Sequence, residues 1–84
     1  MDKPWFVYIL ECQDGSFYTG TTNDLGKRMK AHAENKGSKY VMKKKFKQLL
    51  RSQKCEDKSH ACKAEYQIKK LYKYDKLDWF KLQN

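Results

Sequence analysis

The chain has 84 residues, 39% of them hydrophobic, 14% aromatic and 35% charged, which allows one small domain over residues 1–84 with a limited core of large side chains and excludes a second. Nineteen Lys and Arg against ten Asp and Glu give a formal charge of +9, a sign and size that make nucleic acid the leading partner, ahead of an anionic membrane or a merely solvated surface. No run approaches the roughly 20 apolar residues of a membrane span, and the Met1-Asp2-Lys3-Pro4 start lacks an apolar secretory region, so a soluble, cytoplasmic protein is expected.

Trp5, Phe6, Val7, Tyr8, Ile9 and Leu10 are six consecutive β-favouring residues without polar alternation, the pattern of a central strand covered on both faces. Asp14 and Gly15 supply a turn that tolerates positive φ, and Phe17, Tyr18 and Thr19 resume the extended pattern, which predicts a hairpin. Gly20 permits a strained backbone or the close approach of a ligand. Thr21, Thr22, Asn23 and Asp24 then offer caps for a helix beginning near Leu25. On a wheel of about 100° per residue, Leu25, Met29 and His32 share one stripe and Arg28 lies at its edge, about 60° from Leu25. An Arg so placed faces inward to rim a cleft, or packs its stem while the guanidinium reaches water.

Residues 33–38 include Glu34, Asn35, Lys36 and Gly37, which fits fraying of this helix into a loop with Gly37 as its stop. Tyr40 follows, and Val41 and Met42 fit either one helical turn or an irregular link. Lys43, Lys44, Lys45 and Lys47 interleave with Phe46 in the densest basic run, either a phosphate-backbone contact or a solvated face, and Arg51 and Lys54 extend it. Leu49 and Leu50 between polar neighbours predict a third strand over 46–51, paired beside the hairpin.

Asp57 or Ser59 caps a longer helix running to about Tyr72, with Ala61, Ala64, Ile68, Leu71 and Tyr72 as its apolar stripe. Glu65 falls at the rim of that stripe, about 40° from Ala61 and about 20° from Tyr72. A carboxylate there needs a partner, either a metal or a cation such as Lys69 four residues on. Leu77, Trp79, Phe80 and Leu82 close the chain in a short helix or turn over an edge of the core. Cys12, Cys55 and Cys62 are odd in number and lack a Cys-x-x-Cys spacing, so no disulfide framework is expected. Cys55, His60 and Cys62 could make three zinc ligands, although small buried thiols are the commoner fate of such cysteines.

The ordered set Phe6-Val7-Tyr8, Tyr18-Thr19-Gly20, Arg28 and His32 on one helix, Tyr40, and Glu65 with Ile68-Lys69-Lys70-Leu71 on a later helix resembles the GIY-YIG nuclease superfamily over nearly the whole chain. It is most similar to the small stand-alone bacterial members. Phe6 stands where Gly is common and Thr19 where Ile is usual, changes that spare the reactive side chains. The resemblance implies an α+β fold, a three-stranded antiparallel β-sheet flanked by helices, and hydrolysis of phosphodiester bonds in nucleic acid, DNA ahead of RNA, with a divalent metal. By position, Tyr8 and Tyr18 match the two motif tyrosines, Arg28 the helix arginine and Glu65 the metal-binding glutamate. His32 and Tyr40 match accessory positions.

That chemistry makes sense of the residue types. Negative charge grows on phosphate oxygens during in-line attack, so a planar Arg28 fork and a divalent cation are the groups wanted. One carboxylate, Glu65, suffices for Mg²⁺ (or Mn²⁺), which commonly keeps several waters. An unperturbed phenol ionises near pH 10 and is a poor base, so Arg28 and the metal are expected to lower Tyr8 until it takes the proton of the attacking water. Tyr18 or His32 would orient the phosphate or relay the proton. The rival class is a non-catalytic basic nucleic-acid-binding module, supported by the +9 charge. A structural adaptor, supported by the terminal aromatics, is a third.

Overall fold

The computed structural model of the chain describes residues 4–82. Strand β1 (Trp5–Cys12) lies at the centre of an antiparallel sheet, between β2 (Phe17–Thr22) and β3 (Phe46–Cys55). The hairpin forms where expected: Gly15 adopts φ 86° and its N–H donates to the Cys12 carbonyl at 2.9 Å. The Asp14 carboxylate fixes the turn by accepting from the Ser16 N–H (3.0 Å) and hydroxyl (2.6 Å).

Alternation along β1 divides the core in two. Val7 and Ile9 point into a cluster with Cys55, Ala61, Ala64, Ile68 and Phe80, whereas Tyr8, Leu10 and Cys12 join Val41 on the opposite side. Helices α3 (Lys58–Lys69) and α4 (Asp75–Leu82) cover the first face; α1 (Leu25–Ala33) and α2 (Lys39–Lys44) cover the second. The unbroken apolar run of β1 thus reflects burial from both sides, as expected of a central strand. The resulting α+β architecture is an open three-stranded antiparallel sheet with four helices.

Local chemistry sets the helix ends. Asp24 caps α1 by accepting from Lys27 N–H at 3.1 Å, and Asp57, not Ser59, caps α3 by accepting from His60 N–H at 2.8 Å. The stop of α1 differs from expectation: Asn35, with φ 65°, takes the left-handed position after the helix. Gly37 has another use, described below. The link around Val41 proves to be helical; Ser38 caps α2, and Lys45 ends it with φ 70° as its N–H donates to the Val41 carbonyl at 2.7 Å.

Three boundaries depart from the sequence pattern. β3 continues past residue 51 to Cys55, because backbone pairing with β1 carries it through the polar 51–54 segment despite register shifts at Ile9/Leu10 and Glu11/Cys12. α3 ends at Lys69; Lys70 N–H donates to Gln67 and Leu71 N–H to Ile68, tighter i→i−3 bonds that close the helix a turn early. Leu71 and Tyr72 therefore leave the apolar stripe and stand 36% and 86% exposed. Leu82 is 81% exposed, so only Leu77, Trp79 and Phe80 of the terminal set cover the core.

Candidate active site

The second face of the sheet carries a group of polar aromatics where the first carries aliphatic chains and apolar rings. Tyr8 sits mid-strand on β1, paired with Gly20 of β2, and its hydroxyl lies 3.0 Å from His32 Nε2 of α1. An added Cβ at Gly20 would come within 2.6 Å of the Tyr8 hydroxyl and 3.0 Å of Tyr18 Cε2. The glycine is therefore required for space, and the group that approaches it is the Tyr8 side chain. Gly37 acts likewise for His32: a Cβ there would collide with the imidazole, which also stacks on Phe46 (6.2 Å between centroids, 17°).

The remaining aromatics close the group. Tyr18 lies 6.4 Å from Tyr8 and 5.9 Å from His32, and Tyr40, carried on α2, stacks on Tyr18 at 5.7 Å and 25°. Arg28 is half-buried one turn before His32 and lines an open depression of about 390 Å³ with Lys27, Ala31, Lys36 and Gly37. The structure thus brings Tyr8, Tyr18, His32 and Tyr40 into one ring cluster, with the Arg28 charge acting on both Tyr8 and His32.

Electrostatics give Tyr8 and His32 opposite fates. Burial, with the Arg28 guanidinium adding to it, pulls His32 below the ordinary imidazole value and holds it neutral. Burial pushes the Tyr8 phenol well above its ordinary value of 10.0; Tyr18 and Glu65 push the same way, and Arg28 opposes them. Arg28 therefore acts in the expected direction, but by itself it does not offset desolvation of the phenolate. His32 Nδ1 is buried and has no hydrogen-bond partner among the described residues. Where Nε2 accepts from the Tyr8 hydroxyl, the neutral imidazole carries its proton on that Nδ1.

Glu65 comes from the opposite layer, on α3, yet its carboxylate is felt by the Tyr8 phenol. Its side chain is 25% exposed and pairs with Lys69 Nζ at 3.4 Å. Among the described residues no three His, Cys, Asp or Glu side chains group closely enough to hold a metal by themselves. His60, a zinc candidate by sequence, instead accepts the Glu56 N–H on Nδ1 at 3.0 Å.

The basic run is less free than its sequence suggests. Lys44 pairs with Asp14 at 3.0 Å, and Lys47 reaches Glu11 at 3.9 Å, while Lys43 and Lys45 are exposed. Arg51 is exposed on β3 opposite Ile9, and its Nη1 donates to the Leu50 carbonyl at 2.8 Å. Sequence reasoning missed Gly37 and Phe46 as supports of His32, and Lys27 and Lys36 beside Arg28. A helical wheel would have placed Lys27 near Arg28, but Gly37 and Lys36 reach the site only through the fold of the 34–38 loop.

A central strand presenting a buried tyrosine against a glycine of its hairpin partner, with an arginine on the following helix, is the arrangement of a GIY-YIG nuclease-type domain. The GIY-YIG catalytic domain pattern matches residues 4–78, and the chain belongs to this family of nucleases. Within it, the chain is similar to the small bacterial UPF0213 proteins. A UPF0213 protein of Oceanobacillus iheyensis is 41% identical over 83 residues, covering 99% of this chain and 96% of the relative. The solution structure of a UPF0213 protein from Bacillus halodurans is 40% identical with a TM-score of 0.56, covering 94% of this chain and 84% of that one. A solved protein from E. faecalis is 36% identical with a TM-score of 0.66 over 96% of this chain and 86% of its own. Among the described residues no helix is long and apolar enough to cross a membrane.

Proposed function

We propose that this chain is a metal-dependent endonuclease that hydrolyses phosphodiester bonds in nucleic acid, DNA ahead of RNA. The observation that carries the reading is the Tyr8 hydroxyl 3.0 Å from a neutral, buried His32, with Arg28 close enough to act on both. Tyr8 need not exist as a phenolate for this chemistry. As it accepts a proton from the attacking water, it passes its own to His32 Nε2, and the negative charge of the entering phosphate offsets the imidazolium that burial and Arg28 otherwise disfavour. Arg28, half-buried at the rim of the depression, binds the scissile phosphate through its planar fork. Tyr18 and Tyr40 hold the ring cluster in register, and Gly20 and Gly37 leave room for it.

Glu65 is the residue that would hold the divalent ion. A single carboxylate with a quarter of its surface open fits Mg²⁺ or Mn²⁺, ions that keep water in most of their coordination positions, and Lys69 is the cation to be displaced. When bound, such an ion neutralises charge on the phosphate oxygens.

One observation favours the rival reading of a non-catalytic basic nucleic-acid-binding module: Tyr8 is only 1% exposed, so water must reach its hydroxyl through a small opening of the cluster. Linear, flapped and branched labelled substrates, incubated with and without Mg²⁺ or Mn²⁺, separate the two. Glu65→Gln keeps the size of the side chain and removes its charge. Cleavage should then fail over a wide Mg²⁺ range while binding survives, with a stability change of no more than about 0.5 kcal/mol from the lost Lys69 pair. Cleavage at the wild-type rate by Glu65→Gln would defeat the metal role, and no cleavage of any substrate by the wild type would leave the binding module.

A further inference from the structure

Residues 66–74 contain three of the chain's six tyrosines, and all three are open: Tyr66 is 63%, Tyr72 86% and Tyr74 70% exposed. Aromatic rings left uncovered so close together in sequence point to a contact surface. Lysines are set against them. Lys70 Nζ lies 4.1 Å from the Tyr66 ring, and Lys73 Nζ lies 4.7 Å from Phe17 and 5.5 Å from Tyr74. Tyr74 meets Phe17 edge to face at 6.2 Å and 89°. Between Glu65 and Asp78 stand Lys69, Lys70, Lys73 and Lys76 against Asp75 alone.

The position of this patch matters as much as its chemistry. Phe17 precedes Tyr18 on β2 and points to the opposite face of the sheet, and Tyr66 follows Glu65 on α3. The patch thus lies across the sheet from Tyr18 and next in sequence to Glu65 on α3. Tyr66 and Lys70 form an i,i+4 column beside that of Glu65 and Lys69.

We propose that Tyr66, Tyr72 and Tyr74, with Lys70 and Lys73, form a second nucleic-acid surface that takes an unpaired strand, its bases stacked on the phenol rings and its phosphates on the ammonium groups. This rests on the nucleic-acid reading above and narrows it to substrates that carry an unpaired stretch. A duplex hides its base faces and offers such a surface phosphates alone, whereas a single strand offers both partners. With Lys69 paired to Glu65, Lys70, Lys73 and Lys76 stand against Asp75 alone, a balance that favours a polyanion.

The test is equilibrium binding, in EDTA, of a labelled oligothymidine and of a duplex of equal length. Each stacked base is worth about fivefold or more in affinity, so Tyr72→Ala with Tyr74→Ala should weaken single-strand binding at least about twentyfold. Duplex binding should stay within about twofold, since it rests on phosphate contacts. The paired Tyr→Phe variants should restore single-strand affinity, because the ring and not the hydroxyl is at work. Tyr72→Ala alone, at a side chain almost wholly in solvent, guards against loss of the Tyr74–Phe17 contact and should still cost about fivefold. Single-strand affinity unchanged by these substitutions removes the patch from the nucleic-acid interface, and an equal loss on the duplex overturns its preference for an unpaired strand. Binding is read without metal, so failure of cleavage in the Glu65→Gln comparison leaves this result standing; wild-type protein that binds neither oligonucleotide overturns both readings.

Discussion

The two faces of one strand follow different rules. Val7 and Ile9 look into a layer of Ala61, Ala64, Ile68 and Phe80, where packing is mostly apolar and the buried Thr19 beside Ile9 is a small polar exception. Tyr8, one residue away from each, looks into His32 and Tyr18, where space is made by two glycines and a buried imidazole nitrogen has no partner among the described residues. A domain of this size has little core to spare, so a buried polar group on half of it signals use rather than stability. The first face holds the sheet together; the second holds chemistry.

Substitutions on the two faces should separate accordingly. Tyr8→Phe should slow cleavage by at least about a hundredfold, as loss of a general base does, while costing about 1–3 kcal/mol of stability through the unpaired His32 nitrogen. Ile68→Ala on the opposite face should cost about 2–5 kcal/mol of stability, with the rate per folded molecule unchanged. Single-turnover cleavage and chemical denaturation on both variants check this, and equal rate losses would erase the distinction between the faces.

A smaller effect sharpens it through pH. Because the folded-state value of His32 lies below the ordinary 6.5, the unfolded chain takes up its proton first as pH falls. Stability from this site is complete above 6.5 and is lost as pH drops from there through the folded-state value. Denaturation midpoints measured across that window should fall in the wild type, and the part due to the site should vanish in His32→Gln. The same fall in both proteins would place the titrating group elsewhere.

The smallest effects concern the basic run. Lys43 and Lys45 face solvent, whereas Lys44 and Lys47 already serve Asp14 and Glu11. Replacing Lys43 and Lys45 by Ala should reduce the slope of log affinity against log salt on duplex DNA by about two, and replacing Lys44 and Lys47 should reduce it by less. Equal reductions would show that the acidic pairs open on binding.

The sequence alone was sufficient for the strand that everything packs on, the hairpin, the start of the first helix and the order of the motif residues. Each depends on near neighbours: six apolar residues in a row, an Asp-Gly pair, a capping Asp24. It also placed Tyr8, Tyr18, Arg28, His32, Tyr40 and Glu65 in one candidate set, and the structure brings five of them to one side of the sheet. Other features were decided by contacts across the chain. Gly37 resembles a helix stop, yet its use is to admit the His32 ring, while Asn35 makes the turn. Glu65 meets the Tyr8 site from another layer, and Lys44 and Lys47 lose their freedom to carboxylates some thirty residues earlier in the chain. The sign of the Tyr8 shift is of the same kind: composition reveals the charges around a phenol, but only burial, a property of the folded whole, determines that desolvation outweighs them.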